Sequence, residues 1–183
     1  MFLYQYFKNP KQTGAFCASS KKLSKLITSH VQHAKNIVEI GPGTGSFTKY
    51  ILKQKSHNAS FFAVEINPHM AKKLEQNIKN IDIEISSAEF LPNILEKRAI
   101  NTVDLIISGI PWALLNSSEQ DLLLKSIHEA LEENGCFATF AYILPTPKGR
   151  VFKKKLFATF SKVEISPIIW RNLPPAFVYF CTK

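Results

Sequence analysis

Apolar residues Leu23, Leu26, Ile27 and Val31 recur at helical spacing while Lys21, Lys22 and Lys25 fill the other side, which predicts an amphipathic helix capped by Ser20 and ending near Ala34. The period then changes. NIVEI leads into a helix from about Thr44, and SFFAVEI into a helix with Asn67 as its cap and Pro68 at its first position, where a missing N–H costs nothing. IDIEIS is followed by a helical pattern over 89–97, and TVDLIIS by one over 118–132 with Leu122, Leu123, Ile127 and Leu131 on one face. Strands alternating with helices predict a doubly wound α/β sheet with helices on both faces.

The last third departs from this rhythm. GCFATFAYIL precedes a basic segment, PTPKGRVFKKKLF, and then two strand-like runs, KVEISPIIW and AFVYFCT, joined only by RNLPP. Strands so closely linked pair antiparallel. The expected architecture is therefore a seven-stranded, mostly parallel sheet with an antiparallel C-terminal strand, preceded by the amphipathic helix. No repeat, low-complexity tract or Gly/Ser linker divides the chain, and 183 residues at 45% hydrophobic suit one core, so 1–183 reads as a single domain.

Composition adds information about partners. The chain carries a formal charge of +9 and a pI near 9.5, a surplus that favours polyanions such as RNA or an anionic bilayer without choosing between them. No apolar stretch reaches the ~20 residues needed to cross a bilayer, and MFLYQYFKNP lacks the basic start and long apolar run of a signal peptide. A cytoplasmic location, with any membrane contact peripheral, is the expectation. Cys17, Cys136 and Cys181 are odd in number and show no paired spacing with each other or with histidine, which argues for reduced thiols and against a zinc site.

The sharpest local signal is VEIGPGTGSF at 38–47, where Gly41, Gly43 and Gly45 follow a β-rich run and open a helix. Such a loop lets the backbone approach a ligand closely. Its spacing is GxGxG rather than the GxGxxG of a dinucleotide site, and an acid, Glu39, stands two positions before the first glycine. An acid beside exposed amides suits the ammonium and carboxylate of S-adenosylmethionine better than a pyrophosphate. Glu65, at the end of the next strand, is placed to accept from both ribose hydroxyls, or is a solvated strand-end acid. Ile66 is placed against an adenine face or in the core. Ser87, Ala88 and Glu89, after the third strand, are candidates for the adenine edge, with Glu89 equally readable as a helix N-terminal acid.

After the fourth strand comes DLIISGIPWALL, in which Ser108, Gly109, Ile110, Pro111 and Trp112 form a stiff turn at the carboxyl edge of the sheet, the edge where open α/β sheets bind ligands. Amino-methyltransferases acting on adenine carry a related turn that usually begins with Asn or Asp. Serine stands here instead, and its short hydroxyl lacks the reach of a carboxamide. The resemblance becomes specific over several blocks: NPKQTGAFCASS at 9–20, VEIGPGTGSFT, SGIPW, the FAY segment ending at Tyr142, and RNLPPAFVY. Together they resemble the bacterial phospholipid N-methyltransferases, which methylate phosphatidylethanolamine toward phosphatidylcholine. Ala18 replaces a proline of that family's entrance motif, and Ser87 stands where an Asp is usual, leaving Glu89 as the alternative adenine contact.

The resemblance implies a Rossmann-like class I methyltransferase fold using S-adenosylmethionine and no metal, with residues 1–34 as membrane or lid helices and 35–183 as the catalytic core. It implies a phospholipid substrate and a peripheral place on the inner face of the cytoplasmic membrane. Methyl transfer needs a neutral amine lone pair in line with a sulfonium methyl, so positioning is the main task. The turn Ser108, Gly109 and Ile110 would hold the amine. Aromatic faces attract methylated cations, and Trp112 and Tyr142 are the candidates, each also readable as a core aromatic. Arg171 is the candidate for the lipid phosphate, or a surface arginine beside a turn. For membrane contact the sequence offers Phe2, Leu3, Tyr4, Tyr6 and Phe7 with the lysines that follow, and residues 148–155, where Val151, Phe152 and Leu156 lie among basic residues. An RNA adenine methyltransferase, and a membrane-binding protein that keeps the fold with little catalysis, are the competing readings.

Overall fold

Strand β1 (Asn36–Ile40) runs through the interior of the sheet with Ile37, Val38, Glu39 and Ile40 all buried, as expected for a parallel strand covered on both faces. It pairs in parallel with β2 (Ser60–Glu65) on one side and β4 (Val103–Ser108) on the other. Outside these lie β3 (Ile83–Ile85) and β5 (Leu131–Tyr142), followed by β7 (Ala176–Thr182) and β6 (Lys162–Ile165), giving the order β3-β2-β1-β4-β5-β7-β6. β7 is antiparallel to both β5 and β6. The fold expected from the hydrophobic pattern, a seven-stranded and mostly parallel Rossmann-like sheet, is the one observed. This computed structural model describes residues 20–183. The aromatic run from Phe2 to Phe7, Cys17, Ala18 and most of the block at 9–20 lie outside the described residues.

Side chains alternate across the sheet into two cores. On one face Val38, Ile40, Val64, Ile106 and Phe137 meet α4 (Leu91–Lys97), α5 (Ser117–Ala130) and α6 (Pro147–Thr159). On the other, Ile37, Leu105, Ile107 and Val178 meet α1 (Lys21–Ile27) and α2 (Thr48–Gln54). The remaining helix, α3 (Pro68–Asn77), starts on the expected cap, with the Asn67 side chain accepting from the His69 amide. A reciprocal capping box starts α5, the Asn116 side chain accepting from the Glu119 amide and the Glu119 carboxylate from the Asn116 amide, each at 2.9 Å.

Two elements differ from expectation. α1 ends at Ile27 rather than near Ala34, because the Thr28 hydroxyl donates back to the Ser24 carbonyl at 2.7 Å and the chain tightens into a 3₁₀ turn at Val31–His33. Val31 still reaches the core from that turn. The basic segment 148–155 is the first two turns of α6, and its Phe152 and Leu156 are 2% and 0% exposed. These two side chains serve the core rather than a membrane surface; of the three apolar residues proposed there, Val151 alone stays exposed.

Phe137 is fully buried, edge-on to Trp112 at 5.9 Å and stacked on Phe160 at 5.7 Å, and so joins β5 to the SGIPW turn and to the end of α6. Phe137→Ala should cost roughly 3–5 kcal/mol. Thermal denaturation should then register a fall in Tm of roughly 6–20 °C for a domain of this size.

Candidate active site

The carboxyl ends of β1 and β4 are drawn together backbone to backbone. The Gly109 amide donates to the Ile40 carbonyl at 2.8 Å, and a Cβ on Gly109 would collide with the Gly41 carbonyl oxygen. Gly41 has φ +67°, and a Cβ there would press on Ile110 at 2.9 Å, so neither position accepts a side chain. The glycine loop after β1 and the SGIPW turn after β4 are thereby two walls of one site.

The loop faces a cleft lined by Gly41, Val64, Glu65, Ile66, Ser86, Ser87, Ala88, Ile110 and Leu123. Five of the expected cofactor positions, Gly41, Glu65, Ile66, Ser87 and Ala88, are among these, and so is Ile110 of the substrate turn. Glu65 is 2% exposed; its carboxylate accepts from the Gly43 amide at 3.3 Å and the Asn67 amide at 3.0 Å, which fixes it at the mouth of the glycine loop. Burial pushes its pKa up, and the amides of Asn67, Gly43 and Ile66 oppose that rise. Gly43 has φ +56°, and a Cβ there would make ordinary contact with Met70 Cε at 3.9 Å, so its backbone conformation rather than crowding is what favours glycine.

Beneath the loop, Glu39 is fully buried and neither carboxylate oxygen has a hydrogen-bond partner. Burial raises its pKa to about 8; the Thr48 hydroxyl and amide approach closely enough to oppose that shift without the alignment of a hydrogen bond, and the nearby Glu65 adds to it. A buried carboxylate left without donors is suited to a cation arriving from outside the chain. The cleft thus has one carboxylate, Glu65, in its wall, and a second, Glu39, buried beneath the glycine loop.

Ser87 lines the cleft, but its hydroxyl accepts from the Glu89 amide at 3.4 Å, and Glu89 is exposed and outside the lining. The wall at Ala88 is held from behind, its carbonyl accepting from the Ser126 hydroxyl of α5 at 2.8 Å. Sequence reading missed Val64, Ser86 and Leu123. Leu123 carried the helical period of a core residue and nothing that marked its place at the cleft.

In the substrate turn, Ser108 is fully buried and its hydroxyl accepts from the Ile110 amide at 3.2 Å and from the Trp112 indole N–H at 3.1 Å. Trp112 is 2% exposed and stacks on Phe152 at 4.4 Å. This corrects the expectation that its face meets a substrate: the ring is buried, with Phe152 stacked on it, Phe137 at 5.9 Å in an edge contact and its N–H held by Ser108. Gln120, unnoticed in the sequence, is buried and donates to the Trp112 carbonyl at 3.0 Å and the Lys148 carbonyl at 3.3 Å, clamping the turn to α6. Tyr142, the last residue of β5, is half-buried and lies edge-on to Phe140 at 5.6 Å. Arg171 is exposed on the connection from β6 to β7, away from the cleft lining. Among the described residues no cluster of His, Cys, Asp and Glu is arranged to hold a metal.

Residues 37–135 match the methyltransferase domain family. The chain belongs to this family. It is a class I methyltransferase that uses S-adenosylmethionine, and the orphaned Glu39 carboxylate and the Glu65 carboxylate at the loop fit that cofactor. The chain is 29% identical to an ornithine lipid N-methyltransferase of Singulisphaera acidiphila over 99% of its own length and 94% of that protein's. It is 28% identical to a tRNA1(Val) (adenine(37)-N6)-methyltransferase of Haemophilus influenzae over 68% of its own length, spanning 59% of that protein. Among solved structures, an O-methyltransferase from Bacillus cereus in complex with SAH superposes with a TM-score of 0.71 at 14% identity, over 90% of this chain and 82% of the other, which speaks for the fold alone.

The charge state of Glu39 gives a pH signature. In the ligand-free methyltransferase its pKa lies near 8 against an ordinary 4.5. Between those values the folded chain keeps a proton that the unfolded chain has lost, so stability falls as pH rises, by up to about 1.4 kcal/mol per unit from this group. Glu39→Gln should flatten that slope. Denaturant midpoints for the two proteins from pH 5 to 8 test this; parallel curves would place the shift elsewhere.

Proposed function

We propose that this methyltransferase N-methylates a lipid amine at a membrane surface, phosphatidylethanolamine and its partly methylated forms being the favoured acceptors. The observation that carries the proposal is the Ser108 hydroxyl. It is buried and already accepts two hydrogen bonds within its own turn, so the side chain at the head of the turn is turned away from any substrate. An enzyme that reads adenine needs a group reaching out from this position, whereas an alkylamine asks only for backbone carbonyls and a dry, well-placed approach. The lipid-acting relative, matched over nearly the full length of both chains, supports the same reading, with its ornithine lipid as the nearest alternative acceptor.

In this proposal Glu65 holds the ribose hydroxyls and Glu39, in its ionised form, faces the methionine ammonium, with Gly41, Gly43 and Gly45 giving the loop its approach. Ile66, Ser87 and Ala88 bound the adenine, and Glu89, being exposed, adds at most a rim contact. S-adenosylmethionine supplies the electrophilic methyl. The chain holds the amine against the backbone of Ser108, Gly109 and Ile110, whose carbonyls accept its N–H hydrogen bonds, and desolvation beside the buried turn lowers the ammonium pKa so that its proton passes through water to bulk solvent before the nitrogen lone pair takes the methyl. With Trp112 in the core, Tyr142 is the aromatic left to face a cation that gains methyl groups and loses donors. Residues 1–183 act as one domain, and the surplus positive charge draws it to anionic lipid on the inner face of the cytoplasmic membrane. No helix among the described residues is long and apolar enough to cross a membrane.

The RNA reading has the adenine methyltransferase relative in its favour and the buried Ser108 against it. Labelled methyl transfer to phosphatidylethanolamine vesicles, ornithine lipid and tRNA in parallel separates these: label in mono-, di- or trimethylated phosphatidylethanolamine is expected, label confined to ornithine lipid moves the acceptor, and label confined to RNA overturns the proposal. Arg171→Gln should raise the apparent KM for lipid about tenfold or more, the worth of a charge-assisted phosphate contact, and spare cofactor affinity. Unchanged lipid kinetics would remove Arg171 from the site.

A further inference from the structure

The connection between β6 and β7, residues 166–175, is unusual for a surface loop in its apolar exposure. Ile168, Trp170 and Leu173 are 43%, 69% and 78% exposed, and Leu144, just beyond the hydrogen bond from the Ile143 amide to the Pro175 carbonyl, is 64% exposed. A large aromatic left in water beside three aliphatic side chains marks an interaction site more often than a neutral surface. The loop is not loose. Asn172, 5% exposed, accepts from the Ser20 amide at 3.0 Å, donates to the Pro174 carbonyl at 2.7 Å, and through its own amide reaches the Ile169 carbonyl at 3.1 Å. Ile169 in turn bridges to Ala176 at the start of β7. The exposed side chains therefore project from a braced turn.

Position and charge define what the turn meets. β6 runs parallel to β5, so its end and the start of β7 lie at the carboxyl edge of the sheet, the edge that carries the cofactor cleft and the SGIPW turn. Residues 166–175 contain no acid and carry Arg171 at their centre, and Glu164 is the single acidic residue between positions 134 and 183. Arg150 stands exposed at the start of α6, on the same edge. An apolar turn that carries a cation and no acid of its own matches the profile of a bilayer interface, where tryptophan sits at headgroup depth and basic side chains meet anionic lipid.

We infer that the β6–β7 turn, through Trp170 and Leu173 with Ile168 and Leu144 beside them, is the surface by which this protein enters an anionic lipid bilayer. The inference rests on the lipid reading above and deepens it by giving the active-site edge its partner. A turn inserted on that edge keeps the cleft facing the headgroups, so an amine need not leave the bilayer plane to be methylated.

Tryptophan itself is the probe, since the chain has two, Trp112 at 2% exposure and Trp170 at 69%. Vesicles of phosphatidylethanolamine and phosphatidylglycerol should shift the emission of the full chain to the blue, and acyl-brominated lipid should quench it. Trp170→Phe should abolish both responses. Trp170→Ala with Leu173→Ala should weaken co-sedimentation with the same vesicles roughly tenfold or more while S-adenosylmethionine affinity, measured by calorimetry, stays at the wild-type value. No response of Trp170 to vesicles overturns the inference. So does emission already blue without lipid and dependent on protein concentration, which would mean that a second copy covers the turn, or quenching by RNA in place of lipid. The two proposals fail separately: quenched Trp170 with no lipid methylated leaves the docking surface and removes the lipid-amine acceptor, whereas methylated vesicle lipid with an unresponsive Trp170 does the reverse.

Discussion

Gly41 and Gly109 meet where β1 and β4 end, and the rest of the site depends on that approach. Parallel strands place their carboxyl ends side by side, but side chains ordinarily keep the loops beyond them apart. Here the absence of two Cβ atoms lets one loop rest on the carbonyl of the other. The glycine loop thereby meets the SGIPW turn with no intervening layer of side chains. Glu65, bonded to the Gly43 and Asn67 amides, fixes the far side of the same loop.

Trp112 shows how the substrate turn is kept in shape. Its ring lies on Phe152 and against Phe137, its N–H is received by Ser108, and its carbonyl is held by Gln120. A turn buttressed from below in this way offers backbone rather than side chains to what lies above. Such a surface discriminates by shape and dryness more than by matched hydrogen bonds.

The strands, their order of appearance, the Asn67 cap and the antiparallel last strand were legible because each rests on local periodicity or on the length of a link. Glu39 and Glu65 were legible for a related reason: a strand's end can be placed from its own residues, and an acid there has few structural uses. Leu123 and Gln120 were not, because they reach the site only after their helix packs, and Ser86 was passed over for its neighbour Ser87 although it too follows β3 directly. Trp112 was misread as open to substrate because the ring that covers it, Phe152, comes forty positions later on a helix whose apolar face is obscured by Lys153, Lys154 and Lys155. The break in the first helix turned on one hydroxyl, that of Thr28, competing for a backbone carbonyl.

The two edges of the sheet carry a further consequence. β3 has three residues and β6 four, and β6 bears Lys162 and Glu164, joined by an ion pair of 3.1 Å, along its exposed side. Short, charged margins give a neighbouring chain little to pair with. Proteins gathered on a surface reach local concentrations far above those in bulk solution, and an open strand would then zip to its neighbour. Margins like these would disfavour edge-to-edge pairing wherever copies of this chain are crowded.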